Sequence, residues 1–357
     1  MRVRDAQRSA SRHRAASAPA DRFRGSWRSW RVPAVALVIV AIVIAAVLVA
    51  VHRSPVTPQQ VDSGAASRAG SATSGQGGSA GLITTPEHYL GVAEANEIAS
   101  YQPISEFAAT VGRQPNLVLY YTAIGTPFYV RLASEALAHG ATTFVQINPG
   151  SISLSAVAAG REDKYLRSFA DSVRSFGHPV VIGFAPEMNA SWYTWGWHHT
   201  SPATWIAAWR HVVTLFRRQG ASNVTWLWTV TTDVPGITGP IQRWWPGSAY
   251  VDWVGVDGYY YYASSTFASV FSATLNQVRA LTDKPLLLSE TGIGQMAGQA
   301  AKMADLFAGI RASRVLGFVW FDESQHGGVY HQDWRLEGHP GAIAAFRRGL
   351  ATYGATG

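Results

Sequence analysis

The chain has 357 residues, of which 47% are hydrophobic, 12% aromatic and 14% charged; this composition can bury a large core and excludes disordered proteins, collagen-like repeats and disulfide-stapled miniproteins. It contains no cysteine, which excludes disulfides, thiolate nucleophiles, iron–sulfur clusters and cysteine zinc sites. The formal net charge is +7, but residues 1–31 hold nine Arg against two Asp and the remainder balances at 20 basic and 20 acidic side chains, so we expect no nucleic-acid partner.

The start of the chain predicts a basic cytoplasmic tail, residues 1–31, followed by a single transmembrane anchor, residues 32–51. The second range is 20 uncharged residues with one proline, Pro33, and at about 1.5 Å per residue it spans the ~30 Å hydrocarbon core. The arginines precede the span and only His52 and Arg53 follow it, so the positive-inside rule predicts a cell-membrane protein with its large domain extracytoplasmic. The alternatives are a buried globular helix and a cleaved signal peptide, which would give a secreted protein.

A change in composition sets the next boundary. Residues 52–81 are rich in Ser, Gly and Ala and cannot bury enough apolar surface to order themselves, so they predict a flexible linker. From about residue 82 the sequence becomes aromatic and periodic, without a further low-complexity break. We therefore predict one folded domain over residues 82–357.

Eight short apolar runs separated by amphipathic segments follow in this domain. One segment starts with Ser201 as a helix N-cap and Pro202 in the first turn, and Gly220 lies past its end. Eight strand–helix alternations in this length predict an α/β protein with a (β/α)8 TIM barrel. An open doubly wound sheet is the alternative, but it would place a glycine-rich phosphate loop after the first strand, and residues 91–96 are not one. The runs are residues 88–92, 117–122, 142–147, 180–185, 224–230, 252–257, 285–289 and 315–321.

Two glutamates lie at the ends of predicted strands four and seven. Glu187 comes two residues after the end of the fourth apolar run, and Glu290 comes directly after the seventh. Active sites of TIM barrels lie at the carboxyl ends of the strands, so both carboxyls should face the same mouth. A pair of carboxyl groups about 5–5.5 Å apart is what a retaining glycosidase needs, one to protonate the leaving oxygen and one to attack the anomeric carbon.

Tryptophans are concentrated around the first of these glutamates. Ten of the 14 lie between residues 192 and 253, and Trp192 and Trp195 follow Glu187 in a polar loop. Indole faces stack on the apolar faces of sugar rings, while the ring N–H can donate to hydroxyls. We therefore predict that Trp192 and Trp195 contact a polysaccharide substrate.

Four separated segments share one pattern. They are FAPEMNASWYTWG at 184–196, NVTWLW at 223–228, WWPGSAYVDWVGVDGY at 244–259 and PLLLSETG at 285–292. Together they resemble glycoside hydrolase family 26, the family of endo-β-mannanases and related endo-β-glucanases. The resemblance spans roughly residues 88 to 350, and it implies a barrel whose acid/base follows strand four and whose nucleophile follows strand seven. By resemblance, Glu187 is the acid/base, Glu290 is the nucleophile, and Asn189 lines the cleft together with Trp192.

The same resemblance implies two further aromatic roles and shows two departures. Tyr259 would line the substrate site and orient the nucleophile, and Trp320 on strand eight would form the sugar platform at the cleavage subsite. The family usually has His immediately before the acid/base, where this chain has Pro186, and it has an amide after the strand-eight Trp, where this chain has Asp322 and Glu323. The identity of the substrate therefore stays open among mannan, glucan and exopolysaccharide.

Other groups predict no further chemistry. His326 and His331 do not have the spacing of a helical metal-ligand pair, so we expect neither a metal nor a cofactor. Asp257 is interpreted as a structural hydrogen-bonding group rather than a third catalytic acid. The sequence as a whole predicts a monomeric, membrane-anchored, retaining endo-β-glycosidase. The alternative is a catalytically silent glycan-binding barrel of the cell envelope, which would have no reason to hold Glu187 close to Glu290.

Overall fold

The computed structural model describes residues 82–324 and 332–354. Eight parallel strands pair in sequence order, and the eighth pairs with the first to close a barrel. The predicted (β/α)8 barrel is therefore confirmed, and each predicted apolar run overlaps one observed strand. The strands are β1 Tyr89–Glu94, β2 Leu117–Ala123, β3 Thr142–Asn148, β4 Val180–Phe184, β5 Val224–Thr231, β6 Trp253–Tyr260, β7 Leu286–Ile293 and β8 Gly317–Asp322.

Helices cover the outside of the barrel. The predicted cap at Ser201 is present, because its hydroxyl accepts a hydrogen bond from the backbone N–H of Thr204 at 3.1 Å, and Pro202 occupies the first turn. The α-helices are α1 Gln102–Val111, α2 Val130–Ala138, α3 Leu154–Ala158, α4 Asp163–Phe176, α5 Pro202–Arg218, α6 Ala273–Leu281, α7 Gln299–Ser313 and α8 Pro340–Ala351.

The hydrophobic core has two layers, one inside the barrel and one between the barrel and the helices. Strand side chains alternate between these layers because their period is two residues. On β6, Trp253 and Tyr259 belong to the inner layer, whereas Val254 and Tyr260 belong to the outer layer. This alternation decides which residues at the ends of the strands can reach the mouth of the barrel.

No helix within residues 82–324 and 332–354 is long and apolar enough to cross a bilayer. The predicted tail, anchor and linker, at residues 1–31, 32–51 and 52–81, lie outside the described residues. Their assignment, and the domain boundary at residue 82, therefore stay predictions.

A fragment starting at residue 82 should fold cooperatively and melt within about 2 °C of the full chain. Residues 82–88 belong to the domain, because Tyr89 donates to the Ile83 carbonyl at 2.9 Å and Arg311 pairs with buried Glu87 at 3.2 Å. A fragment starting at residue 89 loses both contacts and should melt several degrees lower. Thermal unfolding of the two fragments and the full chain checks this, and a large stability loss on removing residues 1–81 would contradict it.

Candidate active site

The barrel brings Glu187 and Glu290 to its carboxyl-terminal mouth, from opposite sides. Glu187 lies three residues after the end of β4, and Glu290 lies within β7 near its carboxyl end. Both side chains are half-buried. The two carboxyls interact electrostatically, since the charge of Glu290 is one of the causes that raise the pKa of Glu187.

Two tyrosine hydroxyls hold the carboxylate of Glu290. Tyr121 at the end of β2 donates to Oε1 at 2.5 Å, and Tyr259 near the end of β6 donates to Oε2 at 2.7 Å. Burial raises the pKa of Glu290, and these two hydrogen bonds oppose that rise because they stabilise the ionised form. Glu290 is therefore fixed in one orientation by two donors that favour its ionised form.

A β-bulge directs Glu290 into the barrel. Leu287 lies in the inner layer and Leu288 in the outer layer, so simple alternation would turn Ser289 inward and Glu290 outward. One extra residue on β7 shifts its register against β6 between Leu287 and Glu290, and against β8 between Leu288 and Thr291. Consequently Ser289 and Glu290 both face the interior, as their hydrogen bonds to inward-facing residues show.

Glu187 lies on a strained turn. Its φ is 52°, and the φ of Ala185 is 46°, a left-handed conformation that residues other than glycine rarely adopt. The indole N–H of Trp192 donates to Oε2 at 3.0 Å, and the side chains of Tyr193 and Thr231 also hydrogen-bond to this carboxyl. The turn places the carboxyl beside Trp192 at the mouth.

The surroundings separate the protonation states of the two glutamates. Burial first, and then the charge of Glu290, raise the pKa of Glu187 to about 8, against the hydrogen bonds from its neighbours. Glu187 therefore keeps its proton at neutral pH, while Glu290 has two hydroxyl donors that favour its ionised form. Different settings for two neighbouring carboxyls, one that favours the protonated form and one with donors to the ionised form, are what an acid and a nucleophile require.

The predicted substrate contacts at Trp192 and Tyr259 stay predictions. Both side chains are half-buried at the mouth, and each hydrogen-bonds to one of the two glutamates. Their geometry leaves part of each ring accessible to a ligand.

Three other predicted contacts are corrected. Asn189 is 1% exposed and its amide pairs with the backbone of Thr231, at 2.9 and 3.0 Å. Trp195 is 4% exposed, and its N–H donates to the Pro186 carbonyl at 2.8 Å. Both residues hold the loop after β4 instead of lining the cleft.

Trp320 is the third correction. Its ring has 0% exposure and packs on Phe346 of α8, in the layer between the barrel and the helices. Val319 and Phe321 are the inward-facing residues of β8. Because the ring has no accessible face, Trp320 cannot serve as a sugar platform.

A group of carboxyls at the ends of β1 and β8 was not predicted as part of the site. Glu94 at the end of β1 and Asp322 at the end of β8 are register partners, and both are buried. Burial and then the neighbouring Asp322 raise the pKa of Glu94. Burial, Glu290 and Asp322 raise the pKa of Glu323 to about 7. Within the described residues none of these three carboxyls forms an ion pair with Lys or Arg, and their raised pKa values favour the neutral, protonated form.

No group of three His, Asp or Glu side chains that could hold a metal ion occurs in residues 82–324 and 332–354. His326 and His331 lie outside those ranges.

Trp192→Phe should move the basic limb of the pH–rate profile upward by about one pH unit. The indole N–H stabilises the ionised form of Glu187, so its loss raises the pKa of Glu187 further above 8 and the acid keeps its proton to higher pH. Profiles of kcat/KM measure this shift. Trp197→Phe, in the same loop and packed against Arg243, is the control and should leave the limb in place. A downward shift in Trp192→Phe would contradict the assignment of Glu187 as the acid.

The comparisons with known proteins agree with this geometry. Endoglucanase H of Acetivibrio thermocellus is 28% identical over 267 residues, which cover 70% of this chain and 29% of that protein. β-1,3-Xylanase TXYA of a Vibrio species is 31% identical over 101 residues, covering 28% of this chain and 21% of that protein. The chain thus spans less than a third of the length of these curated relatives.

Solved structures share the fold. A family 26 β-mannanase from Bacteroides ovatus superposes with a TM-score of 0.56 at 17% identity, covering 73% of this chain and 88% of that one. An endo-β-1,4-mannanase from Cellulomonas fimi gives 0.55 at 19% identity, covering 69% and 65%. The sequence pattern that defines glycosyl hydrolase family 26 matches residues 153–338, more than half of the chain, and includes both glutamates. The chain therefore belongs to glycosyl hydrolase family 26.

Proposed function

We propose that this protein is a membrane-anchored, extracytoplasmic endo-β-glycosidase that hydrolyses a β-linked polysaccharide with retention of configuration. The observation that carries the proposal is the unequal setting of two carboxyls at one barrel mouth. Glu290 receives two hydroxyl donors, and Glu187 has its pKa raised to about 8. Family membership supports the same reaction class.

In the first step, a carboxylate oxygen of Glu290 attacks the anomeric carbon as the bond to the glycosidic oxygen breaks. Glu187 gives its proton to that oxygen, so the leaving chain departs as a neutral alcohol. The product is a glycosyl ester of Glu290, and Glu187 is now ionised. Tyr121 and Tyr259 keep the attacking carboxylate aimed while its charge is consumed.

In the second step, Glu187 acts as the base. It takes a proton from a water molecule that attacks the anomeric carbon, and the ester bond to Glu290 breaks. Glu290 recovers its negative charge and Glu187 its proton, so the cycle closes. Two displacements at the same carbon leave the sugar with its original configuration.

The charge of the mouth favours a neutral glycan. Glu323 interacts electrostatically with Glu290, and in the described part of the chain no ion pair joins Glu187, Glu290 or Glu323 to Lys or Arg. A uronic acid or a sulfated sugar would therefore find no cationic partner at these carboxyls. The names of the relatives, which include an endoglucanase, a β-1,3-xylanase and mannanases, favour endo action on β-glucan, β-xylan or β-mannan.

Release of reducing ends from a panel of polysaccharides tests this proposal. The panel contains β-mannan, β-glucan, β-1,3-xylan, the exopolysaccharide of the source cell, and a polyuronide as the anionic control. We expect hydrolysis of one neutral polymer, with oligosaccharides rather than single sugars as early products, and a β-configured first product by NMR. An inverted first product would contradict the double displacement. Binding without hydrolysis would favour the glycan-binding alternative.

Added protease should remove the large domain from intact cells or spheroplasts. The proposed orientation, with the chain after residue 53 outside the membrane, is supported by the arginines in residues 1–31 and the uncharged stretch at 32–51. Immunoblotting with an antibody against the domain measures its loss, and a cytoplasmic protein serves as the protected control. Complete protection would contradict the orientation, and a soluble mature form would indicate signal-peptide cleavage.

A further inference from the structure

Asp257 is a third carboxyl near the two catalytic candidates, and it lies deeper in the barrel. Its side chain is 0% exposed, and Asp257 is the register partner of Glu290 on the neighbouring strand. The Ser289 hydroxyl donates to Oδ1 of Asp257 at 2.5 Å. The backbone N–H of Glu290 faces the same carboxyl. Both donors therefore belong to the two residues that form the bulge of β7.

Space for this arrangement comes from Gly255, the preceding inward-facing position of β6. A Cβ atom there would lie 2.4 Å from the Ser289 hydroxyl and 2.9 Å from that of Thr229. The missing side chain lets Ser289 turn inward beneath Asp257. The hydrogen bond from Ser289 to Asp257 then joins the bulge of β7 to β6.

We propose that Asp257 is a positioning residue that pins the β-bulge of β7 and thereby aims the carboxylate of Glu290 at the anomeric carbon. The inference rests on the proposed role of Glu290 as the nucleophile. Asp257 is beyond the reach of substrate because it is fully buried, so it acts through Ser289 and the backbone of Glu290.

The proton balance of the site indicates that Asp257 works in its neutral form. Glu290 and Glu187 face it from β7 and from the loop after β4, and Tyr121 and Tyr193 are the other titratable groups near it. No Lys or Arg among the described residues pairs with its carboxyl. Burial, and then Glu290 and Glu187, raise its pKa well above the ordinary value. Its Oδ2 atom, which accepts no hydrogen bond, is the place for the proton.

Two substitutions in the full chain separate positioning from charge. Asp257→Asn keeps the size and the acceptor oxygen of the neutral acid, so kcat should stay within about threefold of wild type, with an unmoved basic limb of the pH profile. Asp257→Ala removes the oxygen that accepts from Ser289, so Glu290 should lose its orientation. We expect kcat to fall about 10²-fold with little change in KM. The probes are the dinitrophenyl β-mannobioside, β-cellobioside and β-xylobioside, and the one that wild type hydrolyses fastest is used.

Azide and an outer-layer aspartate supply the controls. Azide should not restore Asp257→Ala, because its acid/base is intact and the formation of the glycosyl-enzyme is impaired. Asp305→Ala removes an aspartate that accepts from Tyr260 on the helix side of β6, and it should lower the melting temperature without a selective fall in kcat. Wild-type kcat in Asp257→Ala, or equal losses in the Ala and Asn variants, would overturn the proposal.

Crystal structures of Asp257→Ala and Asp257→Asn test the positioning role of Asp257 even if none of the probes is hydrolysed. In Asp257→Ala the Glu290 carboxylate should leave the hydroxyls of Tyr121 and Tyr259, and in Asp257→Asn it should stay within hydrogen-bond distance of both. An unmoved Glu290 in Asp257→Ala would overturn the positioning role. An inactive wild type together with a displaced Glu290 would overturn the proposed function alone.

Discussion

Replacing Glu290 with alanine should lower the rate of polysaccharide hydrolysis by about 10⁴-fold or more, the scale seen when a covalent nucleophile is removed from an enzyme. No other described carboxyl has the same setting: Asp257 is fully buried, and Glu187 holds the proton that the leaving oxygen needs. Without Glu290 no glycosyl ester can form. Tyr121 and Tyr259 lose their acceptor at the half-exposed mouth, where water can replace it, so the barrel should remain folded.

Product stereochemistry and a matched substitution complete this prediction. Azide should enter the space left in Glu290→Ala and attack the anomeric carbon directly, giving an inverted glycosyl azide that NMR identifies. Glu290→Gln is similar in size to the native residue but is a poor nucleophile, so it should lose activity equally and resist azide. If Glu290→Ala retained activity within about tenfold of wild type, the nucleophile would have to be sought elsewhere.

The barrel and its two glutamates could be predicted from the sequence because both depend on local signals. Each strand is a short apolar run, and the helix after Ser201 begins with a capping residue and a proline. In a parallel barrel all strands end at the same mouth, so a glutamate at a strand end has a predictable location. Neither inference needs the long-range contacts of the chain.

It was harder to predict which side chains of a strand face the barrel interior and which face the helices. Phe318, Trp320 and Phe321 are all bulky aromatics, so the sequence around them does not reveal which position points inward. In the barrel Phe318 and Trp320 pack against the helices, and Phe321 faces the interior. The assignment of Asn189 to the cleft was wrong for a related reason, since its hydrogen-bond partner Thr231 lies 42 positions away on another strand.

Tyr121 and the bulge of β7 were not predicted for different reasons: the sequence contains a signal for Tyr121 but none for the bulge. Leu117 and Leu119 are inward-facing residues of β2, so the period of two would have placed Tyr121 inward at the mouth as well. The bulge at Ser289 and Glu290 has no such local signal. It depends on Asp257 across the sheet, and it reverses the face that simple alternation assigns to Glu290.

Replacing Glu187 with alanine should separate substrates by the quality of their leaving group. General acid catalysis is worth roughly 10²–10⁴-fold, and a sugar alkoxide is a poor leaving group, so hydrolysis of polysaccharide should fall by that factor. A dinitrophenolate leaves without protonation, so dinitrophenyl glycosides should still glycosylate Glu290, whose two tyrosine hydrogen bonds are untouched by the substitution. The basic limb near pH 8 should disappear, because the group that causes it is absent.

Azide decides whether Glu187 also acts as the base. In Glu187→Ala the glycosyl ester should accumulate, since no base activates water, and a burst of dinitrophenolate equal to the enzyme concentration should precede a slow steady state. Azide needs no base, so it should accelerate turnover and yield a glycosyl azide of retained configuration. Glu106→Ala, which removes an exposed glutamate from α1, is the control and should match wild type throughout. Loss of both substrate classes to the same extent, without an effect of azide, would show that Glu187 supports the structure and not the chemistry.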